Sequence, residues 1–529
     1  MIIIYLLRPM NNNFTQNKNK KKRILIQRDV VLSHNLDQYI GKQIETQTST
    51  KANTIPIEND ILKAISKLST ENSIPIYIVG GYVRDYFLNR ERTDFDFTVI
   101  GDALSFAKIV AKHFNSKAIT YERFFTAMIP LKNNLQLEFV GTRKEEYKDN
   151  SRKPIVSVGT LEDDLSRRDF TVNAIAASLN KNNLGEIVDL FNGLNDIEMK
   201  ILRTPLDPLT TFNDDPLRMM RAARFAAQLN FTIDPITLDA IKKINNRLKI
   251  ISMERISAEF FKILASPNPS LGIQILDETN LLSIFLPEIS NLKGVEIVQE
   301  GEKNFAHKDV FKHSLKVLDN ISKVNDNVYL RFAALIHDIA KPVTKKFNPS
   351  TGWSFHGHEE IGARIVEKLF RRLKLPLEHI PYVQTLVRLH QRPMVLVDEI
   401  ISDSAIRRLA VQAGSSLNDL FTLCKADITT KNPNLTQQYL NNYDIVLNKI
   451  LEVQEKDKLR EFQSPVRGEE IMELCNLAPC KAVGIIKSNI EEAILDGIIP
   501  NDYELAKNYF LQNIDDWLQK INIRDIKQK

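Results

Sequence analysis

The 529-residue sequence lacks several features that would restrict its class. Its three cysteines, Cys424, Cys475 and Cys480, show no paired spacing, which favours a reduced intracellular setting over a disulfide framework. The N-terminal apolar run MIIIYLL is far shorter than the roughly 20 residues that a membrane span needs. A net charge of +5 permits nucleic-acid binding without arguing for it. We therefore expect a cytoplasmic protein with no membrane segment.

Length and composition predict several globular domains behind a basic leader. With 43% apolar and 26% charged residues, the chain has the composition of a soluble protein, and 529 residues exceed one ordinary core. The basic run NKNKKKR follows MIIIYLL, and no typical cleavage site lies between them. We predict a disordered leader over residues 1–55, with RNA contact as the alternative use of the basic run and Met10 as an alternative start.

Secondary-structure patterns divide the rest of the chain. Over residues 56–200 the strand-like runs IPIYIV, DFDFTVI, FFTAMIPL and LQLEFV alternate with helical patterns, which predicts an α/β head with a mixed sheet. Beyond about Leu206 strand signals almost vanish. We predict a helical neck (201–300), a helical body (301–455) and a helical tail (456–529), the tail as two short helices joined by a proline-containing loop.

The segment IVGGYVRDYFLNRERTDFDFTVIG carries the first candidate site. The period of a strand places Asp94 and Asp96 on one face, where two carboxylates repel each other unless a cation such as Mg²⁺ lies between them. Gly80 and Gly81 end a strand and begin a helix, a turn that lets backbone amides approach an anion, and Arg84 adds a cation for a triphosphate. The alternatives are a solvated edge strand and an ordinary tight turn, but the joint spacing favours a nucleotide and metal site.

Two further strings contain candidate residues. Glu138 in LQLEFV is a candidate third carboxylate, or else a polar residue on an exposed strand face. In NDDPLRMMRAARFAAQL, Asp215 and Arg218 are three residues apart and share one helix face. They present an acceptor beside a fork of donors, which matches the edges of cytosine and adenine but not those of uracil or guanine. The alternative is a well-capped helix with an arginine face, on which Arg221 is a further candidate for nucleotide support.

The spacing G-G-x-V-R-D-(x8)-D-F-D resembles the head of the class II tRNA nucleotidyltransferases and bacterial poly(A) polymerases, in the polymerase-beta-like superfamily. The resemblance implies that Asp94 and Asp96 hold two metals during nucleotide transfer to an RNA 3′-hydroxyl. DDLSRRDFTVNAIA matches the second family motif, which implies that Arg168, Asp169 and Asn173 contact the ribose and triphosphate of the nucleotide.

Three further segments are compared with this family, the first of them only loosely. DLFNGLNDI matches an element thought to flex as the incoming base changes, at Asp189, Gly193 and Asp196. Asp214 stands where the family has glutamate, which shortens a supporting carboxylate but retains the base-recognising pair that follows it. The tail also resembles the tRNA-binding tail of the bacterial enzymes.

Histidines concentrate in the body, where seven of nine lie between His307 and His390. The adjacent His337 and Asp338 in an apolar stretch need partners, and imidazole with carboxylate suits a transition metal or Mg²⁺; buried histidines held only by hydrogen bonds are the alternative. The order of the motifs resembles the HD phosphohydrolase superfamily. The resemblance implies a ligand set of six residues: His313, His337, Asp338, His358, His390 and Asp427.

Taken together, the resemblances imply a CCA-adding tRNA nucleotidyltransferase that uses CTP, ATP and Mg²⁺, with a secondary HD phosphohydrolase activity. Its partners would be tRNA and the two nucleotides, with no protein partner and no membrane. Three alternatives remain open: a poly(A) polymerase, a partial enzyme that adds only CC or only A, and an HD phosphohydrolase that uses its head to bind RNA.

Overall fold

A seven-stranded sheet organises residues 54–202, which we call the head. The computed structural model describes residues 54–132, 135–148, 151–294, 297–300, 303–306, 309–398, 403–457 and 464–520, so the predicted leader lies outside the described residues apart from its last two. The strands of the head are β1 (Ile76–Val79), β2 (Phe95–Val99), β3 (Ile119–Tyr121), β4 (Thr126–Pro130), β5 (Gln136–Gly141), β6 (Arg143–Lys148), β7 (Ser151–Val158), β8 (Ile175–Ser178), β9 (Ile187–Asp189) and β10 (Ile201–Leu202). Its helices are α1 (Asp60–Asn72), α2 (Gly81–Phe87), α3 (Ala103–His113), α4 (Leu161–Ser166) and α5 (Gly193–Met199).

The sheet has the order β3-β4-β5-β2-β1-β8-β9 and is mixed, because β2 and β5 run parallel while the other neighbours are antiparallel. The four predicted strand-like runs form β1, β2, β4 and β5, which confirms the α/β head. The hairpin of β6 and β7 was not predicted. In β2, Phe95, Phe97 and Val99 are buried on one side, so Asp96 and Thr98 take the opposite side of the strand. Asp94 lies just before β2 begins.

Helices dominate the rest of the described chain, as predicted. In the neck they are α6 (Pro208–Asp214), α7 (Leu217–Leu229), α8 (Pro235–Ile244), α9 (Met253–Leu264), α10 (Pro269–Glu278), α11 (Leu282–Phe285) and α12 (Pro287–Ser290). In the body they are α13 (Val310–Ser322), α14 (Val328–Ile336), α15 (Lys341–Thr344), α16 (His358–Arg372), α17 (Ile380–Leu389), α18 (Arg392–Asp398), α19 (Asp403–Ala413), α20 (Leu417–Asp427) and α21 (Pro433–Asp457). None of the helices within the described residues combines the length and apolar character that crossing a bilayer demands.

Two expectations for this half of the chain need correction. Short strands occur where strand signals are weak: β11 (Thr232–Ile233) pairs with β10, and two hairpins are formed by β12 (Ile297–Glu300) with β13 (Lys303–Ala306) and by β14 (Lys346–Asn348) with β15 (Gly352–Ser354). The tail has three helices rather than two, namely α22 (Gly468–Cys475), α23 (Lys481–Leu495) and α24 (Tyr503–Lys520). The last of these helices was missed, although Ala506 and Phe510 anchor it in the core of the tail. The predicted domain boundaries stay predictions.

Gly193 packs the start of α5 against the segment that leads into β8. A Cβ at this position would lie 2.3 Å from the carbonyl oxygen of Thr171 and 2.8 Å from Cγ1 of Ile175. Asp189 accepts hydrogen bonds from the backbone N–H of Gly193 and its neighbour, and Asp196 accepts one from the Thr171 hydroxyl at 2.6 Å. In the structure Asp189, Gly193 and Asp196 all make hydrogen bonds or close packing contacts. The predicted flexing of this element stays a prediction.

Gly193→Ala should therefore destabilise the protein, because the new methyl group would clash with the backbone carbonyl of Thr171, which cannot move as a side chain could. We expect a loss of about 3 kcal/mol in the free energy of unfolding, the upper end for overpacking a core. Denaturant unfolding measures it. Gly484→Ala is the matched control, since a Cβ there meets nothing within 4 Å and alanine favours the helix. Equal effects of the two substitutions would contradict the packing argument.

Candidate active sites

The glycine turn lies directly beside both aspartates of the D-x-D motif. Gly80 has φ +71°, a conformation that L side chains rarely adopt, and it lies between β1 and α2. A Cβ at Gly81 would lie 3.4 Å from Oδ2 of Asp94, and one at Gly80 would lie 4.0 Å from Oδ2 of Asp96 and 3.0 Å from Nη1 of Arg168. Larger residues would thus crowd both carboxylates and the guanidinium, which explains why the turn needs glycine.

The environment of Asp96 favours a cation. Burial raises the pKa of Asp96 to about 6; Arg168 lowers it, and the carboxylates of Glu138 and Asp94 raise it. Glu138 stands directly opposite Asp96 in the parallel pairing of β2 with β5, although it is not among the residues lining the cleft described below. Clustered carboxylate oxygens are the ligands that Mg²⁺ and similar hard cations prefer, so the donor set fits a divalent metal held by Asp94 and Asp96.

A cleft of about 700 Å³ opens beside these carboxylates, between the head and the neck. Eight arginines and six acidic residues line it, an excess of positive charge that suits a triphosphate. The structure brings together in this cleft both aspartates of the D-x-D motif and every predicted nucleotide-binding residue: Gly80, Gly81, Arg84, Arg168, Asp169, Asn173, Asp215, Arg218 and Arg221.

Four of these residues form one hydrogen-bonded chain across the head and the neck. Arg84 binds Asp85 in a bidentate pair and donates to Oδ1 of Asn173 at 2.6 Å. Asn173 donates to Asp169 at 3.0 Å, and Nε of Arg221 donates to the other Asp169 oxygen at 2.7 Å. Burial raises the pKa of Asp169, but Arg221 and these hydrogen bonds outweigh it and lower the pKa to about 2. The geometry places Arg84 and Asp169 as supports of the site, and their predicted contacts to the nucleotide stay predictions.

Arg168 has the geometry expected of a phosphate ligand. Its Nη2 lies 3.3 Å from the buried Asp164, and its Nη1 is 3.4 Å from the carbonyl oxygen of Asn173. Nε of Arg168 is buried and has no hydrogen-bond partner among the described residues. A buried donor without an acceptor is costly. The part of the guanidinium that remains exposed, 18% of the side chain, lies in the cleft and can bind an anion.

The predicted base-recognising pair does not share a helix face: Arg218 lies in the first turn of α7, whereas Asp215 has extended backbone between α6 and α7. Both residues still line the cleft, where they are held by different partners. Arg218 donates to the carbonyl oxygens of Arg167 at 2.6 Å and Thr211 at 3.3 Å. Asp215 accepts from Nη2 of Arg255 at 3.1 Å. Sequence reasoning missed Arg255, which comes from the first turn of α9 and lines the cleft. The remaining donors of Arg218 and lone pairs of Asp215 can serve a ligand.

The body holds the second cluster, centred on Asp338, and the structure brings all six predicted residues together. On one side, Oδ2 of Asp338 lies 3.2 Å from Nε2 of His337 and 3.7 Å from Nε2 of His313, which is 2.8 Å from Asp427. On the other side, Oδ1 of Asp338 lies 3.2 Å from Nε2 of His358 and 3.7 Å from Nε2 of His390. Two ligand groups therefore share one carboxylate.

The outward ring nitrogens fix the tautomers in this cluster. Nδ1 of His337, His358 and His390 lies 2.7–2.8 Å from a backbone carbonyl oxygen, which can only accept, so Nδ1 carries a hydrogen in each. Nε2 of His337 and His390 and Oδ1 of Asp338 are buried without a hydrogen-bond partner. Orphaned nitrogen and oxygen atoms that converge in this way fit a divalent metal.

The charge state of His337 links metal binding to protons. Burial lowers the pKa of His337, but the carboxylates of Asp338 and Asp427 raise it to about 9. The Lys341 ammonium lies 2.6 Å from Asp338 and lines a cavity of about 390 Å³ that reaches His313 and Asp427. The metal-free cluster therefore holds a proton at neutral pH that a metal must displace.

Comparisons with known proteins match the head and much of the neck and the body. The family described as Poly A polymerase head domain matches residues 76–203, that described as a probable RNA and SrmB-binding site of polymerase A matches 230–293, and the HD domain family matches 310–412. The A-adding tRNA nucleotidyltransferase of Deinococcus radiodurans is 33% identical over 342 residues, covering 63% of this chain and 75% of the relative. The chain belongs to the tRNA nucleotidyltransferase and poly(A) polymerase family.

Other members of this family are similar as well. The multifunctional CCA protein of Shewanella frigidimarina is 34% identical over 318 residues, covering 58% of this chain and 70% of the relative. The Bacillus stearothermophilus CCA-adding enzyme in complex with CTP has a TM-score of 0.57 at 21% identity, covering 87% and 98% of the two chains. The Thermotoga maritima CCA-adding enzyme complexed with tRNA has a TM-score of 0.52 at 19% identity, covering 88% and 97%. These likenesses confirm the nucleotidyltransferase fold with its HD body, and both families generally use divalent metals.

Proposed function

We propose that this tRNA nucleotidyltransferase family member adds C, C and A to the 3′ end of tRNA from CTP and ATP, without a nucleic-acid template. One observation carries the proposal: a single cleft joins the D-x-D carboxylates and glycine turn to the Asp215 and Arg218 pair. The RNA 3′-hydroxyl attacks the α-phosphorus of the nucleotide, a new P–O bond forms, and pyrophosphate leaves. Two Mg²⁺ ions held by Asp94 and Asp96 would lower the pKa of the attacking hydroxyl and neutralise the leaving pyrophosphate.

The side chains of the cleft bind and orient the nucleotide. The backbone amides at Gly80 and Gly81 receive the triphosphate at the start of α2, and Arg168 supplies the charge. Asp215 accepts from the exocyclic amino group of cytosine or adenine, while Arg218 donates to the adjacent ring acceptor. Uracil and guanine present a carbonyl oxygen to Asp215 and are rejected. Glu138 adds a third carboxylate beside Asp96, from the neighbouring strand. We expect the reaction to take place in the cytoplasm.

Primer extension with purified protein, Mg²⁺ and labelled tRNA ending at the discriminator base tests the proposal. Products should stop at plus two with CTP and at plus three with CTP and ATP. A long adenosine ladder with ATP alone would identify a poly(A) polymerase. Addition of A only to tRNA that already ends in CC would identify an A-adding enzyme, the name that the Deinococcus radiodurans relative carries. No extension on any substrate would refute nucleotide addition.

Arg255→Ala should weaken nucleotide binding, because the Asp215 carboxylate loses its ion-pair partner and keeps only the hydrogen bond from the backbone N–H of Leu217. We expect KM for CTP and for ATP to rise about fivefold, the equivalent of the roughly 1 kcal/mol that a half-exposed ion pair contributes. Steady-state kinetics with each nucleotide measure the change. Glu254→Ala on the same turn of α9 does not line the cleft and is the control; an equal rise in that variant would point to a general effect on α9.

A second activity is favoured by the Asp338 cluster. We propose that the body hydrolyses phosphate esters with divalent metals held by the two ligand groups. The supporting observation is that four histidines and Lys341 converge on the two oxygens of the buried Asp338 carboxylate. Lys341 also lines the adjacent cavity. Release of phosphate from RNA 3′-phosphate or cyclic phosphate ends in the presence of Ni²⁺, Mn²⁺ or Mg²⁺ tests it, and the absence of release with all three would refute it. Were this the only activity found, the head would serve to bind RNA.

A further inference from the structure

Asp164 on α4 is a buried carboxylate without a role in the reaction proposed above. It is 0% exposed and does not line the cleft. Its Oδ2 accepts a hydrogen bond from the Thr98 hydroxyl at 2.8 Å and lies 3.3 Å from Nη2 of Arg168, while its Oδ1 accepts from Nε of Arg167 at 3.0 Å. A fully buried carboxylate is costly unless it is paired, so this arrangement of three partners defines a fixed anchor.

Each partner of Asp164 leads to a different part of the cleft. Thr98 follows Asp96 by two residues on β2, so the two side chains leave the same side of that strand. Arg168 extends from Asp164 to the glycine turn, where its Nη1 lies 3.0 Å from the position of a Cβ on Gly80. Arg167 offers its backbone carbonyl to Nη2 of Arg218 at 2.6 Å.

We propose that Asp164 is a positioning residue that fixes the phosphate-binding Arg168 and the base-recognising Arg218 in one geometry relative to Asp96. The inference rests on the proposed nucleotide addition. Guanidinium groups on long side chains lose their orientation when their anchor is removed. Binding of the triphosphate and selection of the base should then weaken together, although Asp164 is not among the residues that line the cleft.

Asp164→Asn and Asp163→Asn form the test pair. Asp163 precedes Asp164 on α4 and forms the capping box with Thr160, so its substitution tests the helix end separately from the Asp164 carboxylate. For Asp164→Asn we expect KM for CTP and ATP to rise at least about tenfold and misinsertion of UTP to rise by a similar factor, because a misplacement of about 1 Å can change rates a hundredfold. KM for tRNA should stay within about twofold. Asp163→Asn should lower only the unfolding temperature.

A second pair covers the case in which Asp164→Asn does not fold. Thr98→Val removes one hydrogen bond to the anchor and should raise both nucleotide KM values a few-fold, about the effect of one hydrogen bond, whereas Thr98→Ser should restore them. Unchanged nucleotide KM values and misinsertion in every folded variant would overturn the proposal. Binding of CTP without tRNA is measured in parallel, so that the role of Asp164 is tested even if the wild-type chain adds no nucleotide.

Discussion

Asp96→Asn should reduce nucleotide addition by about a thousandfold, with KM for tRNA little changed. The substitution removes a carboxylate that lies beside the glycine turn and close to the carboxylates of Glu138 and Asp94. A divalent metal supplies several kcal/mol of transition-state stabilisation, and each 1.36 kcal/mol corresponds to about tenfold in rate. Single-turnover primer extension at saturating CTP measures the loss.

The control for this substitution is Asp102→Asn. Asp102 caps α3 shortly after β2, is not among the cleft residues, and asparagine can replace aspartate as a cap. The control should retain wild-type extension and a wild-type unfolding temperature. A thousandfold loss of extension in both variants would mean that any Asp-to-Asn substitution in this region disrupts activity. The proposed role of Asp96 as a metal ligand would then be wrong.

The pKa of Asp96 adds a pH dependence to the same prediction. Because burial raises this pKa to about 6, the carboxylate takes up a proton as the pH falls through 6 and can then no longer serve as a metal ligand. At low Mg²⁺, extension should decline below about pH 6, and higher Mg²⁺ should move the decline to lower pH because metal and proton compete. The stability of the metal-free protein should change in the opposite direction. Above pH 6 the buried negative charge of Asp96 destabilises the fold, and this destabilisation disappears as the pH falls.

Local patterns indicated part of each site, and the resemblance to known families supplied the rest, including Arg168, Asp169, Asn173 and most of the ligand set in the body. The glycine pair and the D-x-D motif are close in sequence, and β1 and β2 are neighbours in the sheet, so their juxtaposition follows from one strand pairing. The six predicted ligands of the body are spread more widely, over residues 313–427, but the adjacent His337 and Asp338 at the end of an apolar helix are distinctive in themselves.

The anchors of the cleft could not be predicted in the same way. Arg255 contacts Asp215 across 40 positions, and only the packing of α9 beside α7 shows that they meet. Asp164 belongs to a string of acidic and basic residues that is typical of an exposed helix start, yet the structure encloses it completely. Charge patterns identify residues that can pair, but tertiary packing sets which residues meet. Tertiary context also decides whether a short segment forms a strand, which is why the hairpin of β14 and β15 was missed.

Asp338→Asn should abolish metal binding and phosphate-ester hydrolysis in the body while leaving nucleotide addition within about twofold of wild type. Both ligand groups use this carboxylate, so one substitution removes both. We expect metal affinity to fall at least about a hundredfold, since even the residues that support a metal ligand contribute ten- to hundredfold. Elemental analysis after dialysis and isothermal titration with Ni²⁺ or Mn²⁺ measure the loss.

Substitutions on either side of Asp338 divide this effect into its parts. His313→Ala leaves the group of Asp338 with His358 and His390, and His358→Ala leaves the opposite group, so each should retain about half of the bound metal. His356→Ala, at an exposed histidine that belongs to neither group, should retain all of it. Since the pKa of His337 is raised to about 9, metal uptake should release a proton at neutral pH and strengthen as the pH rises towards 9. Absence of bound metal from the wild-type protein would show that the cluster is a hydrogen-bonded core. Retention of the full metal content by Asp338→Asn would show that the metal does not depend on this carboxylate. A parallel loss of nucleotide addition would show that the body and the head are not independent.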